Sequence, residues 1–213
     1  MPKGGGIAVL HGDPAKDNVD VFFKVPAKSS ILQAKGHDYT TTALVGGDAA
    51  LAARFEHGSF ATLYLSPKDY HRVHMPCTAR LVQMIHVGYL FLVNPVTARG
   101  VPGLFARNER LVCVFDSPVV GSFVLALVGA TIVGTMATVW HGVVDPPRVG
   151  KLREWRYEDE PLTLAQGEEM GRFPLGLTVV MPFERSAPGR GLKFEPQWAP
   201  GRTVRLGQAM AHA

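Results

Sequence analysis

The segment Tyr64-Leu65-Ser66-Pro67-Lys68-Asp69-Tyr70-His71-Arg72-Val73-His74-Met75-Pro76 sets two imidazoles three residues apart between two prolines, in an otherwise apolar region. Proline fixes its own φ and restricts the residue before it. Histidine is the side chain whose ordinary pKa lies near neutrality, so a constrained pair is suited to moving protons at cellular pH. His71 and His74 are therefore the first candidates for chemistry. Arg107 and Arg110, in the block Leu104-Phe105-Ala106-Arg107-Asn108-Glu109-Arg110, offer planar guanidinium forks to a phosphate. Their plainer use is an ion pair with Glu109 or Asp116 at the entrance to a strand. Metal ligation is not expected: His71 and His74 form a pair, but no thiolate or carboxylate set completes a site by spacing.

Elements that would position these residues are mostly strands. Short β-type runs divided by Gly, Pro and Asp are read at Val19–Val25, Phe60–Leu65, Ala79–Val87, Arg110–Phe115, Ser122–Val128, Thr131–Val139, Thr178–Phe183 and Thr203–Leu206. The stripe Leu44, Leu51, Ala52 and Phe55 predicts one helix over Thr41–His57, stopped by Gly58. A second short helix is read after Pro161, around Leu164–Glu169. Val119–Trp140 carries no charge and is long enough to span a bilayer. Its β-branched content and Gly121, Gly129 and Gly134 instead predict two buried strands joined by a glycine turn. Those glycines serve strand packing, since no Gly-x-x-x-x-Gly-Lys cradle occurs. Ser186 to Gly189 lies in a linker-like stretch, Arg185–Arg190, that separates the last strands.

With 213 residues, 46% of them hydrophobic, the chain can bury one sizeable core, and a single domain is expected. The fold class is read as α+β and strand-dominated: one compact domain of short antiparallel strands with one or two helices. The formal net charge of +4 is spread from Lys3 to Arg205 without a run of three, which argues against a nucleic-acid partner and fits an anionic lipid surface better. Two cysteines make no disulfide framework, and both are expected to be reduced. The opening Met1-Pro2-Lys3-Gly4-Gly5-Gly6 reads as a lead-in with no apolar targeting region.

Three stretches together resemble the phosphatidylserine decarboxylases: the Tyr64–Pro76 segment, the run Gly167-Glu168-Glu169-Met170-Gly171-Arg172-Phe173-Pro174-Leu175-Gly176, and the block Leu104–Arg110. Val128–Gly134 with Trp140 adds to the likeness, which is strong from Ile31 to Phe183 and weak at both ends. The resemblance implies a variable lead-in and first strand over 1–30 and a catalytic domain over 31–213. It also implies a self-generated pyruvoyl cofactor, phosphatidylserine as substrate, and phosphatidylethanolamine and CO2 as products. The family makes that cofactor at a Leu-Gly-Ser-Thr motif: the serine oxygen attacks the preceding glycine carbonyl, the amide becomes an ester, elimination splits the chain, and the serine remnant hydrolyses to pyruvoyl. Here the matching residues are Leu175-Gly176-Leu177-Thr178. An isobutyl group at Leu177 has neither nucleophile nor leaving group, so the pyruvoyl group is expected to be absent and the chain unprocessed. Thr178 carries the nearest hydroxyl, but attack on the Leu177 carbonyl would be displaced from oxyanion donors aimed at the neighbouring bond.

By position, the resemblance makes His74 the processing base, His71 the decarboxylation proton donor, and Gly176 and Leu177 the processing position. Asp17 is the expected orienting acid, with Asp20 and Asp13 left open, because the family's Pro-Ala-Asp-Gly reads Pro14-Ala15-Lys16-Asp17-Asn18. His37, Tyr70 and Arg107 are expected to bind substrate. His11, His57, His86, His141 and His212 receive no role. The expected location is peripheral, on the cytoplasmic face of a membrane, without a transmembrane helix and with a homodimer as a candidate assembly. Set against the enzyme is a pseudoenzyme that keeps the pocket, binds lipid headgroups or regulates, and has lost the chemistry.

Overall fold

The computed structural model describes residues 6–8, 18–26, 31–34, 37–56, 58–65, 70–88, 108–129, 135–144, 152–159, 161–173, 178–185, 192–196, 198 and 202–212. In chain order the elements are β1 Gly6–Ala8, β2 Asn18–Pro26, β3 Ile31–Ala34, β4 His37–Thr40, α1 Thr41–Leu44, α2 Ala49–Ala53, β5 Ser59–Tyr64, β6 Arg72–His74, β7 Ala79–Val87 and β8 Arg110–Ser117. They continue with β9 Gly121–Val128, β10 Met136–Thr138, β11 Gly142–Val144, β12 Leu152–Arg156, β13 Thr163–Leu164, β14 Glu169–Arg172, β15 Thr178–Phe183, β16 Lys193–Phe194, β17 Arg202–Arg205 and β18 Ala209–His212. The expected class, α+β and strand-dominated with antiparallel pairing, is the one observed.

A nine-stranded sheet runs in the order β12-β7-β8-β9-β15-β5-β2-β17, with β13 also paired to β7. Its central strands β8, β9 and β15 are hydrophobic on both faces because both faces are covered. Val179, Met181, Phe183, Leu125, Leu127, Leu111 and Phe115 face one core, which also takes Val73 and Met75 from around β6, Met136 from β10, Met170 from β14, and Trp198 and Met210 from the C-terminal region. Stacked rings link Phe115 to Phe123 at 5.5 Å and Phe123 to Phe183 at 5.7 Å. On the other face Val180, Val128, Ala126, Val112, Val114 and Ile85 meet Leu44, Val45, Leu51, Ala52 and Phe55. Burying an aliphatic or aromatic side chain of this kind stabilises by about 1.5–3 kcal/mol.

The helix expected over Thr41–His57 is instead two short ones. Gly46 and Gly47 adopt φ of 82° and 98°, left-handed backbone that stops the first helix. Asp48 then caps the second, its carboxylate accepting from Leu51 N at 2.9 Å. The predicted apolar stripe is buried all the same. The helix read at Leu164–Glu169 is also corrected: Thr163–Leu164 is a strand paired with Ala79 and Arg80, and Ala165 to Glu168 form a turn. In that turn Gly167 has φ 84° and the Glu168 carboxylate accepts from Ala165 N.

The uncharged stretch Val119–Trp140 does contain two buried strands, but they lie in different sheets. β9 is central in the large sheet, whereas β10 belongs to a four-stranded sheet ordered β11-β10-β14-β6. The strand read at Thr131–Val139 is described only at Met136–Thr138, and Val139 is exposed in the turn that follows. Among the described residues, no helix is long and apolar enough to cross a membrane. Two further small sheets pair β3 with β4 and order β1-β18-β16.

Candidate functional site

The site lies where the four-stranded sheet meets the nine-stranded one. In the large sheet β15 and β5 are antiparallel neighbours, with Thr178 opposite Tyr64. In the small sheet β14 and β6 are antiparallel neighbours, with Glu169 opposite His74 and Arg172 opposite Arg72. The chain passes from β5 to β6 and from β14 to β15, so two connections join the same two strand pairs. Phe173 N donates to His71 O at 2.9 Å and ties one connection to the other. The exposed Arg72 guanidinium donates to Glu169 Oε2 at 2.5 Å, and this hydrogen bond to Glu169 raises the Arg72 pKa. Arg172 lies 3.6 Å from the other carboxylate oxygen of Glu169.

His74 is buried, with partners on both ring nitrogens. Nδ1 lies 2.9 Å from Gly167 O, and Nε2 lies 2.9 Å from Tyr70 Oη. The Tyr70 and His74 rings are stacked, with centroids 5.6 Å apart and planes 15° from parallel. The carbonyl of Gly167 is itself held in place. Gly167 N donates to Met75 O at 2.9 Å and Met75 N to Glu168 O at 2.9 Å. Gln166 N donates to Thr78 Oγ1 at 3.1 Å, and Gln166 Nε2 donates to Pro76 O at 3.2 Å. A backbone position with φ 84° is open to glycine without strain, and it aims this carbonyl at the imidazole. His71 is half-buried.

Thr178 is buried, and its Oγ1 has no hydrogen-bond partner among the described residues. Across the large sheet Val87, Arg110, Val128, Thr178, Tyr64 and Asp20 form one continuous row of paired positions. Asp20 is thus the one of the three candidate acids whose backbone is described; Asp17 and Asp13 lie outside the described residues, as do Gly176, Leu177 and Arg107. His37 opens β4 opposite Ala34.

Arg110 takes neither of its expected roles. Its Nε donates to Leu44 O at 2.7 Å, one Nη to Asn108 O at 2.7 Å and the other to Ala43 O at 2.5 Å. The guanidinium closes the carbonyl end of α1 instead of meeting a phosphate or an acid. Burial lowers its pKa to about 10, which leaves it charged at neutral pH. Asp116 pairs with Arg54 and Arg80, at 3.4 Å and 3.6 Å. Glu109 pairs with His86: Oε1 and Nε2 are 2.9 Å apart, and both side chains are fully buried. The second carboxylate oxygen of Glu109 and Nδ1 of His86 have no partner among the described residues. This pair was not legible in sequence, because the partners are 23 positions apart and meet only when β8 lies beside β7. Cys77 and Cys113 are free and buried, and burial raises both thiol pKa values. Among the described residues, no group of three or more His, Cys, Asp or Glu is placed to hold a metal ion.

Residues 13–212 match the sequence model of the family described as phosphatidylserine decarboxylase. Similar curated proteins include the phosphatidylserine decarboxylase proenzyme of Variovorax paradoxus (strain S110), 74% identical over 183 residues that cover 85% of this chain and 63% of that protein. The proenzyme of Methylibium petroleiphilum is 70% identical over 187 residues, covering 87% and 64%. That of Dechloromonas aromatica (strain RCB) is 64% identical over 184 residues, covering 86% and 64%. The chain therefore spans a little under two thirds of the length of these relatives.

Proposed function

This chain belongs to the phosphatidylserine decarboxylase family, and from that membership we propose that it is a decarboxylase-type protein held at the unprocessed stage by Leu177. The family reaction takes phosphatidylserine to phosphatidylethanolamine and CO2. The pyruvoyl group supplies an electron sink for the carbanion left as CO2 departs. The residues at the processing position do not fit its formation, since Leu177 offers no hydroxyl to attack the Gly176 carbonyl. No step through that group is derived for this chain.

The observation that supports the reading is the juncture of the two connections. Phe173 and Thr178 flank the processing position. Phe173 is bonded to the main chain of His71, and Thr178 is paired with Tyr64. Both partners belong to the histidine segment. In this reading His74 serves as processing base and His71 as the decarboxylation proton donor, with His37, Tyr70 and Arg107 toward the substrate. Asp17 acts on His74 through, or by displacing, one of the two partners the ring already has. An anionic lipid surface is the proposed partner, and a peripheral position on the cytoplasmic face of a membrane the proposed location.

Intact mass spectrometry of the purified chain tests the proposal. A single species is expected, whereas Leu177→Ser is expected to split after Gly176 into pieces of about 176 and 37 residues and to release CO2 from phosphatidylserine. Two pieces from the unaltered chain, with a ketoacyl cap on the shorter, would overturn it. The intact Tyr70–His74–Gly167 arrangement alongside Leu177 favours a second reading, a headgroup-binding pseudoenzyme. Sedimentation with phosphatidylserine vesicles but not with phosphatidylcholine vesicles is its expected signature.

A further inference from the structure

We propose that Tyr70 is a positioning residue that holds and covers the basic nitrogen of His74, and that Gly167 sets which nitrogen is basic. The inference rests on the reading of His74 as the processing base. A main-chain carbonyl only accepts hydrogen bonds, so the 2.9 Å contact with Gly167 O requires the proton on Nδ1. In the neutral imidazole the lone pair is then on Nε2, where the Tyr70 hydroxyl donates across 2.9 Å. The stacked rings fix the angle of approach as well as the distance. Gly167 cannot drift, because its own N–H and the residues on either side are bonded to Met75, Thr78 and Pro76, which follow His74 directly in the chain. The imidazole thus has one tautomer and one orientation before any substrate arrives, and an attacking hydroxyl reaches its lone pair only when Tyr70 gives way.

The spacing explains why this falls to Tyr70. Tyr70 stands two residues before β6 and His74 is its last residue, so one short segment carries both the base and its cover. An orienting carboxylate is the usual expectation for a catalytic histidine; among the described residues a carbonyl and a phenol hold the ring, and the proposed Asp17 acts through or in place of one of them.

Two measurements test the proposal, and only one depends on processing. In the intact chain at neutral pH, long-range 1H–15N correlation of the His74 ring should show a protonated Nδ1 and an unprotonated Nε2. In Tyr70→Phe the Nε2 resonance should move toward that of a free imidazole while Nδ1 stays protonated. A His74 ring protonated on Nε2 alone, or an Nε2 resonance indifferent to Tyr70→Phe, would overturn the inference. In the Leu177→Ser chain, Tyr70→Phe should change the rate of self-cleavage and its pH profile by roughly three- to tenfold, the rate equivalent of one hydrogen bond. If His74→Ala abolishes cleavage while Tyr70→Phe changes neither rate nor profile, the Tyr70 inference fails and the base assignment stands. If His74→Ala cleaves normally, the base assignment fails, and the ring signals still decide how His74 is held.

Discussion

A buried polar atom contributes to stability only when it has a partner, and this chain offers both outcomes within a few strands. Thr62 and Thr178 are buried on the same face of the β5–β15 pair, and neither hydroxyl has a partner among the described residues. Replacing Thr62 with Val keeps the shape and removes an unmet hydroxyl, so Thr62→Val is expected to raise stability by about 1 kcal/mol. A rise in the urea midpoint at unchanged slope would show it; a fall would mean that the hydroxyl has a partner after all. Glu109 is the opposite case. Glu109→Ala leaves His86 buried without its carboxylate and is expected to cost about 3–5 kcal/mol. The same denaturation curve read for Glu169→Ala should move little, because its Arg72 partner is exposed. This contrast also marks what sequence discloses at the level of single residues. His71 and His74 stand out by type, spacing and flanking prolines. His86 and Glu109 look like any scattered histidine and glutamate until two strands bring them together, and Arg110 was read as a phosphate or acid partner because its true acceptors are carbonyls, which every residue has.

Strand reading succeeded where an apolar, β-branched run is buried over six residues or more. Ala79–Val87 and Thr178–Phe183 are found at the residues read from sequence, and Ser122–Val128 begins one residue earlier at Gly121. The helix at Thr41–His57 failed because an apolar stripe with helical spacing reports which side is buried, not whether the backbone is continuous. Two adjacent glycines carry the left-handed turn that breaks it. The short helix around Leu164–Glu169 failed for a related reason: a polar stretch after a proline looks like a first helical turn, but Gly167 with positive φ makes a tight turn between strands. Two substitutions test this account. Gly46→Ala forces an L side chain to φ 82° and sets its Cβ 3.0 Å from Val87 Cγ2 and 3.1 Å from Leu152 Cδ1. An expected cost of about 1–2 kcal/mol follows from the left-handed backbone alone. Asp48→Ala removes the cap on Leu51 N and is expected to cost about 1 kcal/mol. Thermal unfolding of each reads the effect; no loss in Gly46→Ala would mean that the helix is continuous after all.

At the scale of the whole molecule, the site is a consequence of topology that no local pattern announces. Sequence supplied the two segments, and their meeting depends on β5 and β15, and again β6 and β14, being antiparallel neighbours in two different sheets. The same burial that builds the large sheet sets an alkaline limit on stability. Cys113 is fully buried on β8, and desolvation raises its thiol pKa well above the usual 9.0. Above about pH 9 the unfolded chain releases this proton and the folded chain keeps it, so the stability that the thiol contributes is present below that pH and is lost as pH rises. The loss has a slope of about 1.4 kcal/mol per pH unit while the folded thiol stays protonated. Cys77 adds a smaller decline of the same sign, since burial raises its pKa and a hydrogen bond with Ser117 partly offsets the rise. Cys113→Ala should be less stable at pH 7 because of the cavity it leaves, yet its stability should fall less steeply between pH 9 and pH 10 than that of the parent. Urea midpoints collected at both pH values measure the difference, and parallel declines in the two chains would show that the thiol keeps its ordinary pKa in the fold.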